Sequence, residues 1–196
     1  MPKLVLASAS PRRRELLAQL GYTPELRPTS IDESRHAGES PRHLVRRLAR
    51  EKAESALRAD EDALVLGADT LVCLGDQVFG KPADYTEAEQ NYRALGGRWH
   101  QVLTAVAITD GSRIRQILSR NAVYLRSISS AEAHAYWASG EPQDKAGGYA
   151  IQGLGAVFVR SLRGSYSAVM GLPLAETATY LHELGLSSPK LQAIHE

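Results

Sequence analysis

The sequence predicts an α/β fold with a mixed β-sheet and flanking helices. Apolar runs of strand length alternate along the chain with longer segments of helical periodicity. The stretch TDGS at residues 109–112 separates two long apolar runs, and such a turn predicts an antiparallel hairpin. The length of 196 residues suits one domain. We expect that domain to span residues 1–186, with a loosely held tail at residues 187–196.

The first elements are a short strand and a helix. An apolar run predicts the strand at residues 3–7. The helix is expected over residues 11–20, because Ser10 can act as the N-cap, Pro11 suits the first helical position and Gly21 can end the helix.

The central elements are a long helix and two apolar strands. The helix, over residues 41–59, is predicted from an apolar stripe formed by Leu44, Val45, Leu48, Ala49, Ala53 and Ala56. The run ALVLGADTLVCLG predicts strands at residues 63–68 and 70–74, interrupted by the polar stretch GADT.

The remaining elements follow the same patterns. Strands are predicted at residues 101–109, 114–127 and 155–161, and helices at residues 86–95, 130–139 and 173–184. Thr86 with Glu89, and Ser129 with Glu132, have the spacing of a capping box, and glycines at the ends of these helices act as stop signals.

Charge and cysteine content exclude several classes of protein. The chain has 23 Lys and Arg against 22 Asp and Glu, so we expect no general nucleic-acid binder, and any phosphate site must be local. The single Cys73 excludes an internal disulfide framework and fits a reducing compartment. The N-terminal apolar run is too short for a signal peptide or a membrane span, so we expect a cytoplasmic protein with no membrane partner.

Three consecutive arginines, Arg12, Arg13 and Arg14, occupy the first turn of the first predicted helix. The helix dipole disfavours cations there by roughly 0.3–1 kcal/mol each, so their presence requires an explanation. A bound anion is one, because backbone N–H groups, the hydroxyls of Ser8 and Ser10 and guanidinium groups suit phosphate oxygens. The alternative is a solvated surface cluster.

Lys52 interrupts the apolar stripe of the second helix. It follows Leu48 by four residues and Val45 by seven, which places it on the inward face. An ammonium group is unfavourable there unless it is paired or meets an anion, although the long side chain can also extend to water.

Asp69 lies between two apolar runs, where a carboxylate loses hydration and its pKa rises unless a cation compensates. It is therefore the strongest candidate for a catalytic base or a metal ligand. The alternative is an aspartate that caps a turn beside Gly67. Thr70, the next residue, is more simply explained as a strand residue.

Three loops contribute further polar residues. Lys81 lies on a bend between Gly80 and Pro82 that could direct it into a cleft, and Glu33 follows Asp32 in a loop where such acids are usually solvated. In DKAGGYAIQGLG, the glycines suggest a close approach of backbone to a flat ligand, or simply turns, and Gln152 could contact a base edge. Together these residues suit a metal-dependent enzyme acting on a nucleotide polyphosphate.

The motifs that contain these residues resemble those of the Maf family of nucleoside triphosphate pyrophosphatases. They are LASASPRRRELL, IDES, AREKA, LGADTLV, GKP, GGYAIQG and GSYSAVMGLP, in the family's order over nearly the whole chain. Arg12, Thr70 and Gln152 resemble the branch that acts on dTTP and UTP. The branch that acts on 7-methyl-GTP carries tryptophan, glutamine and glutamate at the matching positions.

The resemblance implies an inosine-triphosphatase-like fold with an elongated mixed sheet, two lobes around a cleft, and a homodimer. It also implies hydrolysis of a nucleoside triphosphate substrate to the monophosphate and pyrophosphate, with Mg²⁺ or Mn²⁺ held by Asp69 and Glu33. Asp69 would accept the proton from water.

The resemblance assigns roles to the other polar residues as well. Charge on the triphosphate would be neutralised by Lys52, Lys81, Arg13 and Arg14, and Ser8 would donate a hydrogen bond to it. Arg12, Thr70 and Gln152 would select the base.

Two other functions stay open at this point. One is a pyrophosphatase for inosine or other purine triphosphates, and the other is a nucleotide-binding regulator of cell division without catalysis. The combination of Asp69, Glu33 and Lys52 favours an enzyme, because a protein that only binds nucleotides does not need to position water.

Overall fold

A seven-stranded mixed sheet forms the centre of the part described by the computed structural model, residues 2–59 and 62–191. Its strands are β1 (Lys3–Leu6), β2 (Glu25–Leu26), β3 (Ala63–Leu74), β4 (Gln77–Phe79), β5 (Arg98–Thr109), β6 (Ile114–Leu125) and β7 (Val159–Arg163). The spatial order is β2-β1-β3-β5-β6-β7, and β4 pairs with β3. β1 is parallel to β2 and β3, whereas the other pairs are antiparallel. The predicted mixed α/β fold is confirmed.

Helices cover both faces of this sheet. They are α1 (Pro11–Gln19), α2 (Pro41–Ser55), α3 (Tyr85–Leu95), α4 (Ser130–Ala138), α5 (Tyr166–Met170) and α6 (Leu174–Glu183). Short 3-10 segments lie at Glu141–Asp144, Ala146–Gly148 and Gly153–Phe158. No described helix combines the length and apolar character needed to cross a membrane.

Side chains of β3 and β5 alternate between two faces, as the strand geometry requires. On one face, Val65 and Ala105 pack against α2. The opposite face carries two apolar clusters, one with α1 and α6 and one with α3 and α4. Between these clusters, Thr70 of β3 stands opposite Thr104 of β5.

β3 is one continuous strand, so the prediction of two strands with a break at residues 67–70 is wrong. β5 pairs with β3 without interruption from Val65 to Cys73. The other edge of β3 pairs with β1 as far as Leu66 and with β4 from Val72 onwards. The polar stretch therefore marks a gap in pairing along one edge of the strand.

Several predicted boundaries also differ from the structure. α2 ends at Ser55 rather than at residue 59, and the carbonyl of Ala56 accepts a hydrogen bond from Arg27 Nη1 (2.8 Å). Residues 155–158, the first part of the strand expected at residues 155–161, belong instead to the 3-10 segment Gly153–Phe158, and β7 begins after them. The short elements β2, β4 and α5 were not predicted, because so few residues establish no periodicity.

Helix caps follow the sequence signals in part. The capping box of Ser129 and Glu132 at the start of α4 is confirmed. The capping box predicted for Thr86 and Glu89 is wrong, because α3 begins one residue earlier. Its N-cap is Asp84, whose Oδ1 accepts a hydrogen bond from the backbone N–H of Glu87 (2.9 Å).

The described part of the C-terminal tail, residues 187–191, packs against the end of α1. Ser188 is buried and donates its hydroxyl to the carbonyl of Leu20 (2.6 Å), and Lys190 Nζ donates to the carbonyl of Ala18 (3.1 Å). The expectation of a loosely held tail is therefore wrong for these residues, while residues 192–196 lie outside the described part.

Candidate active site

A cleft of about 700 Å³ lies where one edge of β3 is unpaired, between the end of β1 and the start of β4. This volume is within the range of small-molecule sites. All but one of the candidate residues from the sequence line this cleft. Those that do are Ser8, Arg12, Arg13, Glu33, Lys52, Asp69, Thr70, Lys81 and Gln152. Arg14 is exposed and is not among the cleft residues.

A lysine bridges two carboxylates in this cleft. Lys52, on α2, places Nζ 2.7 Å from Asp69 Oδ1 and 2.7 Å from Glu33 Oε1. The prediction that Lys52 lies on the inward face of α2 is confirmed, and its ammonium group pairs with acids instead of extending to water. Glu33, whose side chain is 59% exposed, comes from the loop before α2, so the cluster joins three separate segments.

Asp69 is almost completely buried within β3, facing α2. The alternative of an aspartate capping a turn is wrong, because this residue lies in a continuous strand. Burial raises the pKa of the Asp69 carboxyl above the ordinary aspartate value, and the positive charges of Lys52 and Arg13 oppose this shift only in part. A base with a raised pKa is the kind of group found at catalytic sites.

The start of α1 offers donors to the cleft. Ser10 is the N-cap, as predicted, but its side chain makes no capping hydrogen bond, so it leaves the first backbone N–H groups of the helix without a side-chain cap. Ser8 Oγ accepts hydrogen bonds from the backbone N–H of Ser10 (3.2 Å) and from Arg13 Nη1 (3.1 Å). Both contacts use Ser8 as acceptor, which leaves its hydroxyl proton available for an anion.

Arg13 is held on three sides. Its Nε donates to the carbonyl of Gly171 (3.1 Å), Nη1 to Ser8 and Nη2 to Thr70 Oγ1 (3.3 Å). A guanidinium group has five N–H donors, so two remain for a ligand. One of these donors is on Nη1 and the other on Nη2, and a guanidinium group with both available can make a bidentate contact with a phosphate group.

Arg12 points to a different part of the cleft. Its Nη1 lies 3.6 Å from Asp144 Oδ2, in the 3-10 segment before the glycine-rich loop. The three adjacent arginines therefore differ in their surroundings. Arg12 faces an acid across the cleft, Arg13 is hydrogen-bonded to three protein groups, and Arg14 is exposed to solvent.

Gln152 lies in a loop that is fixed by Glu141. Glu141 Oε2 accepts a hydrogen bond from the backbone N–H of Leu154 (2.8 Å). Its Oε1 accepts two, from the backbone N–H of Gly155 and from the hydroxyl of Tyr136, both at 2.8 Å. The loop around Gln152 is thus anchored to α4 and to the segment after it.

Sequence reasoning missed three charged residues of the cleft, Arg35, Asp144 and Lys145. Arg35 donates to the carbonyl of Asp76, and Lys145 Nζ donates to the carbonyl of Glu141 (3.1 Å). Arg35 follows the IDES motif and the other two open the DKAGGYAIQG motif, so proximity to these motifs was the available signal.

The carboxylates of Asp69 and Glu33 suit two ligand positions of a hard divalent cation. Across residues 2–59 and 62–191, no group of three or more His, Cys, Asp or Glu side chains is arranged to hold a metal. Mg²⁺ is often bound by one or two carboxylates together with substrate phosphates and water, so this pair fits such a site.

Comparisons with known proteins show the family to which this chain belongs. The family model described as Maf-like protein matches residues 3–184. A dTTP/UTP pyrophosphatase of Cereibacter sphaeroides is 52% identical over 186 residues, which are 93% of this chain and 95% of that protein. One of Methylococcus capsulatus is 49% identical over 192 residues, with 97% and 95% coverage, and one of Vibrio cholerae is 48% identical over 182 residues, with 92% and 97% coverage. The chain belongs to the Maf family.

Proposed function

We propose that this chain hydrolyses dTTP and UTP to the nucleoside monophosphate and pyrophosphate. The observation that carries the proposal is the cluster of Asp69, Lys52 and Glu33, which lies in one cleft with Arg13. The name dTTP/UTP pyrophosphatase, carried by relatives that are about half identical, supports the substrate class. We also propose a house-cleaning role, in which the same active site removes modified pyrimidine triphosphates from the nucleotide pool.

The reaction is a displacement at the α-phosphorus. A water oxygen forms a bond to this phosphorus while the bond to the oxygen that bridges the α- and β-phosphates breaks, and pyrophosphate leaves. Asp69 orients the water and accepts its proton. The raised pKa of Asp69 brings this base closer to the pH at which it works.

Positive side chains stabilise the charge that develops on the phosphate oxygens and the leaving group. In this proposal Lys52, Lys81 and Arg13 supply that charge, and Ser8 donates its hydroxyl proton. Arg14 is outside the proposed triphosphate site, because its exposed side chain is not part of the cleft.

Asp69 and Glu33 would hold a divalent cation, Mg²⁺ or Mn²⁺, which supplies further positive charge to the phosphate oxygens when bound. Lys52 contacts both acids, so the same lysine keeps the two carboxylates together and balances their charge.

Base selection is assigned to Gln152, Arg12 and Thr70. The amide of Gln152 offers a donor and an acceptor to the edge of uracil or thymine, and a site built on such hydrogen bonds rejects a base that cannot complete them. Thr70 acts through Arg13, since its hydroxyl accepts a hydrogen bond from that guanidinium group.

The experiment is pyrophosphate release from dTTP, UTP, CTP, GTP, ITP and 7-methyl-GTP, with Mg²⁺ or Mn²⁺ and then with excess chelator. We expect metal-dependent turnover of dTTP and UTP. Turnover of 7-methyl-GTP or ITP in their place would overturn the pyrimidine assignment. Nucleotide binding without turnover in the presence of metal would favour a regulator of cell division over an enzyme.

We further propose a cytoplasmic homodimer with a nucleotide substrate and no nucleic-acid partner. The resemblance supports the dimer, and the single buried Cys73 is consistent with a reducing compartment. Sedimentation equilibrium of the purified chain tests the dimer, which a monomer mass at micromolar concentration would contradict.

A further inference from the structure

Thr104 is a fully buried polar residue in the middle of β5. On the same face of the strand its neighbours are Val102 and Val106, which belong to the two apolar clusters on either side. Valine has nearly the same shape as threonine, and a buried hydroxyl is unfavourable unless it is hydrogen-bonded. The hydroxyl of Thr104 is thus explained by its hydrogen bonds and not by packing.

The hydrogen bonds of Thr104 have a defined direction. Its Oγ1 donates to the carbonyl of Ala168 in α5 (2.6 Å), because a carbonyl oxygen can only accept. The only proton of the Thr104 hydroxyl is then in use, so Thr70 must be the donor in the 3.1 Å contact between the two threonines. Thr70 Oγ1 in turn accepts from Arg13 Nη2 (3.3 Å). The three hydrogen bonds therefore form a series in which every donor points the same way, from Arg13 through Thr70 and Thr104 to Ala168.

This series of hydrogen bonds fixes Nη2 of the Arg13 guanidinium group. Nε is held by the carbonyl of Gly171, just beyond the end of α5, so that helix and the residue after it supply both acceptors. Successive hydrogen bonds of the same direction strengthen one another in a buried setting. The result is a guanidinium group whose two remaining N–H donors have a fixed orientation.

We propose that Thr104 is a positioning residue, which holds Arg13 in the orientation that binds the triphosphate although it does not touch substrate. The inference rests on the proposed function, which makes Arg13 a ligand of the triphosphate. Without the Thr104 hydroxyl, Thr70 loses the acceptor for its proton, and the carbonyl of Ala168 keeps only the backbone N–H of Gly171 (2.9 Å) as a donor. The hydroxyl of Thr70 is then no longer fixed by β5, and Arg13 loses one of its three fixed partners.

Two substitutions separate the hydroxyl from the shape of the side chain. Thr104→Val keeps the shape and removes the hydroxyl, whereas Thr104→Ser keeps the hydroxyl and removes a methyl group. Thr177→Val is the matched control, because Thr177 is also fully buried and its hydroxyl has no hydrogen-bond partner among the described residues.

The first readout is the affinity for inorganic triphosphate, titrated by calorimetry with Mg²⁺ present and well below the unfolding temperature of each variant. We expect Thr104→Val to raise Kd about ten-fold, the scale of one lost hydrogen bond to a charged group. Thr104→Ser should recover most of that affinity, and Thr177→Val should change Kd less than two-fold, since it removes no hydrogen bond.

The second readout is a double-mutant cycle with Arg13→Lys, which already lacks the guanidinium contact with Thr70. If Thr104 acts through Arg13, adding Thr104→Val to Arg13→Lys should change Kd and kcat/KM less than two-fold. A purely structural role would instead give the full loss in both backgrounds.

The inference is overturned if Thr104→Val binds triphosphate like the wild-type chain, or if its effect is additive with Arg13→Lys. The titrations separate this result from the proposed function. A wild-type chain that hydrolyses no nucleotide would contradict the activity, whereas the binding series would still decide the role of Thr104.

Discussion

Lys52 and its two acids illustrate how one residue can determine the chemistry of a site. The ammonium group lies 2.7 Å from an oxygen of a nearly buried acid and 2.7 Å from an oxygen of a largely exposed one. The two acids therefore differ in burial, and desolvation raises the pKa of the Asp69 carboxyl. This difference in burial is the reason why we propose Asp69, and not Glu33, as the base.

Asp69→Asn tests that role without a large change in shape. An amide can still accept a hydrogen bond from Lys52 but cannot remove a proton from water, so we expect kcat to fall by about 10²–10⁴-fold with the fold intact. Pyrophosphate release and thermal unfolding measure the two effects. Asp110→Asn, in the hairpin turn away from the cleft, is the control for the same chemical change. Near-normal kcat in Asp69→Asn would rule out the assignment.

The pH dependence of kcat/KM tests the ionisation of Asp69. The base must be ionised, so activity falls as pH drops through its pKa, and burial places this fall above the range of an ordinary aspartate. The negative charge of Glu33 helps to raise that pKa. Glu33→Gln should therefore move the acid limb of the remaining activity to lower pH. A limb that stays in place or moves to higher pH would contradict the coupling of the two acids.

Gln152→Ala tests base recognition separately from the chemical step. We expect the ratio of UTP to CTP turnover, each as kcat/KM, to fall by about ten-fold or more, because the lost hydrogen bonds are those that reject the wrong base. Gln116→Ala is the matched control, since Gln116 contacts Arg46 on the surface. An unchanged ratio in Gln152→Ala would exclude the proposed role.

At the scale of elements, the site depends on the close approach of α2 to β3. A Cβ atom at Gly67 would lie 2.3 Å from the carbonyl oxygen of Ala49 and 2.5 Å from the backbone nitrogen of Ala53. Glycine therefore lets the helix backbone contact the strand two residues before Asp69. This approach places Lys52 of α2 within hydrogen-bond distance of Asp69.

Gly67→Ala should force α2 away from β3, because backbone atoms cannot rotate aside as a flexible side chain can. We expect a loss of about 1–3 kcal/mol in the free energy of unfolding, and a reduced kcat/KM as Lys52 moves from Asp69. Gly80→Ala is the stability control, since its Cβ would meet no atom within 4 Å, and it should change the free energy by less than about 0.5 kcal/mol. Urea unfolding measures both variants, and equal stabilities would contradict the packing argument.

At the scale of the whole molecule, His100 couples folding to pH. This buried residue of β5 contacts the hydroxyl of Tyr149 through Nε2 (2.7 Å), and its Nδ1 has no partner among the described residues. Burial lowers the pKa of His100 to about 4. The native structure therefore favours the neutral imidazole. Protonation would make both ring nitrogens donors, and the N–H at Nδ1 would have no acceptor among the described residues.

The sign of this coupling follows from proton binding by the unfolded chain. An unfolded histidine has a pKa near 6.5, so between about pH 6.5 and pH 4 the unfolded chain binds the additional proton. The free energy of unfolding should fall as pH drops through this window, by up to about 3 kcal/mol, and the contribution is complete above pH 6.5.

His100→Gln should remove most of this slope, whereas His43→Gln, at an exposed position on α2, should keep it. Urea unfolding at several pH values gives the free energies, and the difference between wild type and variant isolates the histidine from other titrating groups. Equal slopes for wild type and His100→Gln would show that His100 is not the group responsible.

The sequence predicted the class of the fold and most of the cleft for physical reasons that are local. Helical spacing placed Lys52 on the inward face of α2, and the apolar residues around Asp69 indicated a buried carboxylate. The antiparallel hairpin of β5 and β6 followed from its turn. Local patterns failed at residues 67–70, because the same polar interruption can mean a turn or a strand with one unpaired edge.

The sequence by itself therefore determined the kinds of element, the face on which each side chain lies within its own element, and the family. Only the tertiary structure decided which of three adjacent arginines is held by Ser8, Thr70 and Gly171, and that Glu33 joins Lys52 and Asp69. The physical reason is that periodicity encodes a face within one helix or strand. Strand register and the approach of distant segments instead depend on long-range packing, which no short stretch of sequence contains.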